Sequence, residues 1–184
     1  LWRPRRRCHH ARMHIGVLGG TGPAGSGLAV RLASAGFEVV IGSRSKYRAL
    51  EVRDRLHAKW EEHNLPLNAG DNETAAAADV VVVATPWDAA AETVSEVAGQ
   101  LRGKVVISMA NALAKVGHEF QPLVPPRGSV AASVQAAVPK SLVAAATVTG
   151  DQHAYNSGDS RPVTGTRHDR HASRAIVDRD QPRL

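Results

Sequence analysis

The sequence predicts a doubly wound α/β fold built on a parallel sheet, and three observations carry that expectation. Short apolar runs alternate with alanine-rich segments, the runs are rich in β-branched residues, and a glycine-rich turn separates the first run from the first alanine-rich segment. The run "DVVVVAT", Asp79 to Thr85, is the most telling. A strand buried on both faces of a parallel sheet reads in this way, whereas a half-solvated strand alternates.

The elements follow in order. "HIGVLG" is the first strand, and "PAGSGLAVRLASAG" the first helix, with Leu28, Leu32 and Ala35 at i, i+4 and i+7. "FEVVIG" is the second strand. Ser45 then caps a helix through "SKYRALEVRDRLHAKWEEH", whose polar face carries Arg48, Glu51, Arg55 and Glu62. The alanines at Ala75–Ala78 mark close helix packing rather than a linker. "DVVVVAT", "PWDAAAETVSEVAGQL" and "KVVIS" continue as strand, helix and strand.

Composition sets limits on this reading. The chain has 184 residues, enough for one domain with a sizeable core. A formal charge of +6 is of the sign that nucleic acid attracts, but the excess lies at the two ends. Between Met13 and Ala146 there are twelve basic and twelve acidic residues, so no nucleic-acid role is expected. No apolar run approaches the roughly 20 residues of a membrane-spanning helix, and no membrane role is expected either. A single cysteine, Cys8, rules out an internal disulfide. These features predict a cytoplasmic protein.

Three zones follow from composition. Residues 13–146 form the folded domain. Residues 1–12, with five arginines and no acid, read as a non-native extension, and Met13 as the natural start. Residues 147–184 contain no lysine or glutamate and have leucine only at Leu184, so they read as a disordered or out-of-frame tail. Cys8, His9 and His10, like His168 and His171, lie in these end zones without a second ligand set. No metal site is expected from them.

The glycine-rich turn reads Gly20-Thr21-Gly22-Pro23-Ala24-Gly25, a G-x-G-x-x-G pattern between a strand and a helix. Glycine at Gly20 and Gly22 permits a tight turn and brings backbone N–H groups against a pyrophosphate, while Gly25 lets helix and sheet approach. The helix N-terminus adds partial positive charge, and Pro23 is tolerated in the first turn. The domain is therefore expected to be Rossmann-like and to bind a dinucleotide. An NAD site usually carries an acid about 20 residues after the fingerprint, for the ribose 2′-hydroxyl. Here Ser43-Arg44 is followed by Lys46 and Arg48, with no acid before Glu51. A hydroxyl and a guanidinium bind a 2′-phosphate, which a carboxylate would repel. NADP(H) is the expected cofactor.

The Tyr-x-x-x-Lys pair of short-chain dehydrogenases is absent, because Tyr47 is followed by Glu51 and Tyr155 by Asp159. Thr85-Pro86-Trp87 follows one strand, and Ser108 and Asn111 come at the end of the next, on the side where open α/β sheets bind ligands. With "LGGTGPAGSGLA", "VVIGSR" and "TPW", these residues make residues 13–146 resemble the coenzyme F420-dependent NADP oxidoreductases, also called NADPH:deazaflavin reductases. The resemblance implies that Thr21 to Ala24 contact the pyrophosphate and that Ser43 and Arg44 contact the 2′-phosphate. It places Arg48 near that phosphate, Trp87 close to the cofactor, and Asn111 at a position where many members have asparagine. Ser108 and Ala112 depart from the Asp and Pro often found beside it.

In that family a hydride passes directly between nicotinamide and deazaflavin, so the resemblance implies an oxidoreductase with coenzyme F420 as redox partner. No catalytic side chain is expected. The partners implied are small-molecule coenzymes, and a homodimer is compatible with the family. After Ala146 the family's Ala-Phe-His-type segment is replaced by "TVTGDQHAYNSGDSRP". Two alternatives stay open: an NADP(H)-binding module or pseudoenzyme without turnover, and a related reductase of an imine or metal chelate.

Overall fold

The computed structural model describes residues 13–146. The expectations made for residues 1–12 and 147–184, including Cys8, His9, His10, Tyr155, His168 and His171, lie outside the described residues.

Six parallel strands form the sheet: β1 (His14–Leu18), β2 (Glu38–Ser43), β3 (Leu67–Asp71), β4 (Val80–Val83), β5 (Val105–Ser108) and β8 (Leu142–Ala145). Their order is β3-β2-β1-β4-β5-β8, which reverses direction of growth between β1 and β4. Ligands of open α/β sheets bind at such a reversal, outside the carboxyl ends of the strands. A separate antiparallel hairpin, β6 (Leu113–Val116) and β7 (Glu119–Pro122), follows β5. The sequence reading assigned no residues to the hairpin or to β3, because both lack the long apolar runs that marked the other strands.

Alternation along each strand divides the core into two layers. On one face Ile15, Val17, Val39, Ile41 and Val82 pack against α1 (Pro23–Ser34) and α2 (Lys46–Lys59). On the other, Leu18, Val81, Val83 and Val106 pack against α3 (Asn72–Ala76), α4 (Ala90–Glu96) and α5 (Val130–Ala137). The expected doubly wound arrangement is thus the observed one.

Details of the helices differ from expectation. In α1 the buried positions are Gly25, Ala29, Val30 and Ala33, while Leu28 and Leu32 are only partly buried and Ala35 is exposed. Small residues face the sheet because the glycine turn holds α1 close to it. Ser45 does cap α2, accepting from the Arg48 N–H at 3.4 Å. The helix ends at Lys59, however, and Glu62 falls in a 3₁₀ turn over Glu61–His63. His57 has its Nε2 buried with no hydrogen-bond partner among the described residues. It follows Leu56 on the flank of the stripe that α2 turns to the core.

The short helix α3 bears directly on β1. A Cβ at Gly16 would stand 1.8 Å from the carbonyl oxygen of Ala75, so the expected close packing of the alanines is real and extends to the backbone. Gly16→Ala should therefore lower unfolding free energy by about 3 kcal/mol through overpacking. Gly99→Ala, where a Cβ meets nothing within 4 Å, should change it by about 0.5 kcal/mol or less. Denaturant melts of both variants check this, and equal midpoints would contradict the close approach.

Candidate functional site

A crevice of about 470 Å³ opens at the carboxyl ends of β1, β2, β3 and β4. Gly19, Thr21 and Gly22 form its floor, Ser43, Arg44, Ser45 and Arg48 one side, and Ala84, Thr85 and Pro86 the other. Asn72 and Thr93 complete it.

The floor is made by the turn between β1 and α1. Gly19 carries φ +69°, a left-handed conformation that other L-residues rarely adopt, and a Cβ there would stand 2.5 Å from Thr85 Cγ2. The sequence reading gave the tight turn to Gly20 and Gly22; the positive φ belongs instead to Gly19, and the doubled glycine was the available signal. Gly20 has a different task. Its N–H donates to the Gly42 carbonyl at 2.9 Å, which ties the turn to the end of β2. Gly25 packs as expected, with a Cβ reaching 2.8 Å from Gly20 Cα and 3.2 Å from Ala84 Cβ.

Gly22 meets no such internal constraint. A Cβ there would have only Gly19 O nearby, at 3.8 Å. The room it leaves is therefore on the crevice side, where a ligand would come close to the backbone. Gly22 also precedes Pro23 at the start of α1, and no side chain caps that helix. The N–H groups of the first turn, from Ala24 and Gly25, consequently have no capping acceptor and face the crevice end of the helix with its positive dipole. This arrangement fits a pyrophosphate.

The opposite side is cationic. Ser43 is buried, and its hydroxyl accepts from the Ser45 N–H at 3.3 Å, which fixes the loop leaving β2. Arg44 and Arg48 are exposed on that loop and on the first turn of α2, and neither forms an ion pair among the described residues. Two guanidinium groups and a serine hydroxyl thus flank one end of the crevice, ready for a dianion. Asp71, at the end of β3, does not oppose them from the crevice wall. Its carboxylate caps α3, accepting from Thr74 Oγ1 at 2.6 Å and from the Thr74 N–H at 2.7 Å.

Not every expected residue joins this crevice. Thr21, Gly22, Ser43, Arg44, Arg48, Thr85 and Pro86 line it, while Gly20, Pro23, Ala24 and Gly25 build the turn behind it. Trp87 is partly buried against the α3–α4–α5 side of the core and does not line the crevice. Asn111 lines a second crevice of about 410 Å³, next to Ser108, Ser129 and Ala146, at the carboxyl ends of β5 and β8. Gly19, Ser45, Asn72, Ala84 and Thr93 were not anticipated as lining residues. For Asn72 the only sequence signal was a polar residue at the end of a strand that itself went unrecognised.

A family model of coenzyme F420-dependent NADP oxidoreductases matches residues 14–112. The F420-dependent NADP reductase of Methanocaldococcus jannaschii is 34% identical over 139 residues, which are 73% of this chain and 62% of that protein. The protein of the same name from Methanothermobacter marburgensis is 41% identical over 96 residues, covering 52% of this chain and 43% of its own. Among solved structures, a candidate F420-dependent NADP reductase from Arthrobacter sp. FB24 aligns with a TM-score of 0.59 and 30% identity, over 72% of this chain and 61% of that one. The chain thus spans less than two thirds of the length of these relatives.

The Asp71 cap makes the α3 wall of the crevice sensitive to acid. The hydrogen bond from the Thr74 hydroxyl, then that from its N–H, and the nearby charge of Lys46 hold the Asp71 carboxyl below the ordinary carboxylate range. A depressed folded-state value means that the stabilisation is complete above the unfolded-chain value and is lost as pH falls through the folded one. Wild type should exceed Asp71→Asn in denaturant midpoint at neutral pH, and the two should converge below about pH 4. A difference that stays constant across that range would contradict the charge-dependent cap.

Proposed function

This chain belongs to the coenzyme F420-dependent NADP oxidoreductase family, and on that premise we propose that it binds NADP(H) in the first crevice and exchanges a hydride with a deazaflavin coenzyme of the F420 type. The observation that carries the proposal is the pairing of two anion sites in one crevice. At one end stand the uncapped first turn of α1 and Gly22; at the other stand Ser43, Arg44 and Arg48. NADP(H) has two anionic groups to match, a pyrophosphate and a 2′-phosphate.

Each residue then has a task. Thr21 to Ala24, with the first-turn N–H groups, hold the pyrophosphate. Ser43, fixed by Ser45, and the two arginines hold the 2′-phosphate. Thr85, Pro86, Trp87 and Asn111 follow the next two strands along the same sheet edge, where the nicotinamide half is proposed to run. NADPH supplies the hydride when bound, and the deazaflavin takes it up. Direct transfer asks the protein to align two rings and exclude water rather than to move a proton, so no catalytic side chain is assigned. The relatives named F420-dependent NADP reductase support this reading. Cytoplasmic location and a homodimer belong to it as well; fractionation and sedimentation would test them. Among the described residues no helix is long and apolar enough to cross a membrane.

Two measurements check the proposal. NADPH should bind at least about tenfold tighter than NADH, and Arg44→Asp should remove roughly 1.5–3 kcal/mol of NADPH binding through lost charged hydrogen bonds. Equal affinities, or an unaffected variant, would move the 2′-phosphate away from Arg44. Deazaflavin-dependent oxidation of NADPH by the full chain tests the reaction itself. Tight NADPH binding without any turnover would leave an NADP(H)-binding module and overturn the oxidoreductase assignment for this chain.

A further inference from the structure

Asn72 is a buried polar side chain, 7% exposed, on the wall of the first crevice, and its Oδ1 has no hydrogen-bond partner among the described residues. Folded chains rarely leave such an atom unpaired, since it has given up water without replacement. The fold supplies no reason for the amide. Asn72 opens α3 but does not cap it, a task that falls to Asp71, and its Oδ1 lies beside Gly42. An apolar residue would serve the packing as well. Its place in the crevice is therefore the feature that calls for a polar group.

That place is well defined. Asp71 pairs in register with Ser43 across β3 and β2, so Asn72 begins where Ser43 ends its strand. A Cβ at Gly42 would stand 3.1 Å from Asn72 Oδ1, which puts the amide beside the residue preceding Ser43 and Arg44. Ser43, Arg44, Arg48 and Asn72 thus share one end of the crevice.

We propose that Asn72 is a further specificity-determining residue, whose amide hydrogen-bonds the 2′-phosphorylated ribose of the dinucleotide. The inference rests on the reading of this crevice as an NADP(H) site. An amide carries two donors and an acceptor on one neutral side chain. A 2′-phosphorylated ribose presents a matching set, an anionic oxygen that accepts and an adjacent 3′-hydroxyl that donates. A carboxylate at the same position would accept from the hydroxyl and repel the phosphate; an ammonium would do the reverse, having no acceptor to offer. The amide serves both, and it adds no charge to a wall that already holds two arginines.

The test is the ratio of NADPH to NADH dissociation constants for the full-length wild type, Asn72→Asp and Asn72→Ala, measured by titration calorimetry. Both constants come from one preparation, so a reduced folded fraction cancels in the ratio. Asn72→Asp should weaken NADPH by about tenfold or more through like-charge repulsion while sparing NADH, and Asn72→Ala should lower the ratio by a smaller factor. Should both dinucleotides weaken by one common factor, Asn72 supports the fold alone and the proposal is overturned. A wild type that shows no preference for NADPH would overturn the reading of the crevice, and this inference with it. Wild-type preference that persists unchanged in both variants overturns the inference only.

Discussion

The hydrogen bond from the Gly20 N–H to the Gly42 carbonyl, 2.9 Å long, is the join on which the crevice depends. It links the turn that offers backbone N–H groups to the strand end that offers Ser43 and Arg44. Gly42 also yields space on its other side, where a Cβ would stand 2.7 Å from Ala75 Cβ. The same residue therefore sets the turn, the second strand and α3 at fixed separations. The first turn of α1 and the Ser43–Arg44 strand end keep their distance because backbone holds them, and backbone is stiffer than any pair of side chains.

Packing around that join is close rather than extensive. Mostly small residues line the contact of α1 and α3 with the sheet, and the large buried side chains are aliphatic, among them Leu18, Ile41 and Val81 on the strands and Val94 and Val134 on α4 and α5. Such an interior can be dense without aromatic residues, at the cost of tolerating few added methyl groups. The crevice gains from it. Elements that cannot slide past one another keep the crevice in shape before any ligand arrives, which lowers the ordering cost of binding.

Charge is distributed in a way that suits this frame. Arg44 and Arg48 stay in water, one on the loop after β2 and the other on the first turn of α2. The serine that orders the loop is buried, and the Asp71 carboxylate is engaged as a helix cap with Thr74. A second crevice at β5 and β8 extends the same sheet edge, with the buried Ser108 hydroxyl unpartnered among the described residues. The C-terminal edge of the sheet thus offers polar groups along more than the length of the first crevice.

The sequence by itself determined the sheet and its strongest strands, the glycine-rich turn, the Ser45 cap and the cationic end of the crevice. Each of these is local: a β-branched run, a glycine spacing or a short charged segment fixes its own conformation or chemistry within a few residues. It also carried the family resemblance. Only the tertiary structure decided that Gly19 takes the positive φ, that Trp87 lies partly buried against the core, that Asn111 belongs to a different crevice, and that Asn72 lines the first one. Those outcomes depend on which strands become neighbours. Asn72 lies beside Gly42 only because β3 pairs with β2 in the register of Asp71 with Ser43, and no short stretch of sequence encodes that pairing.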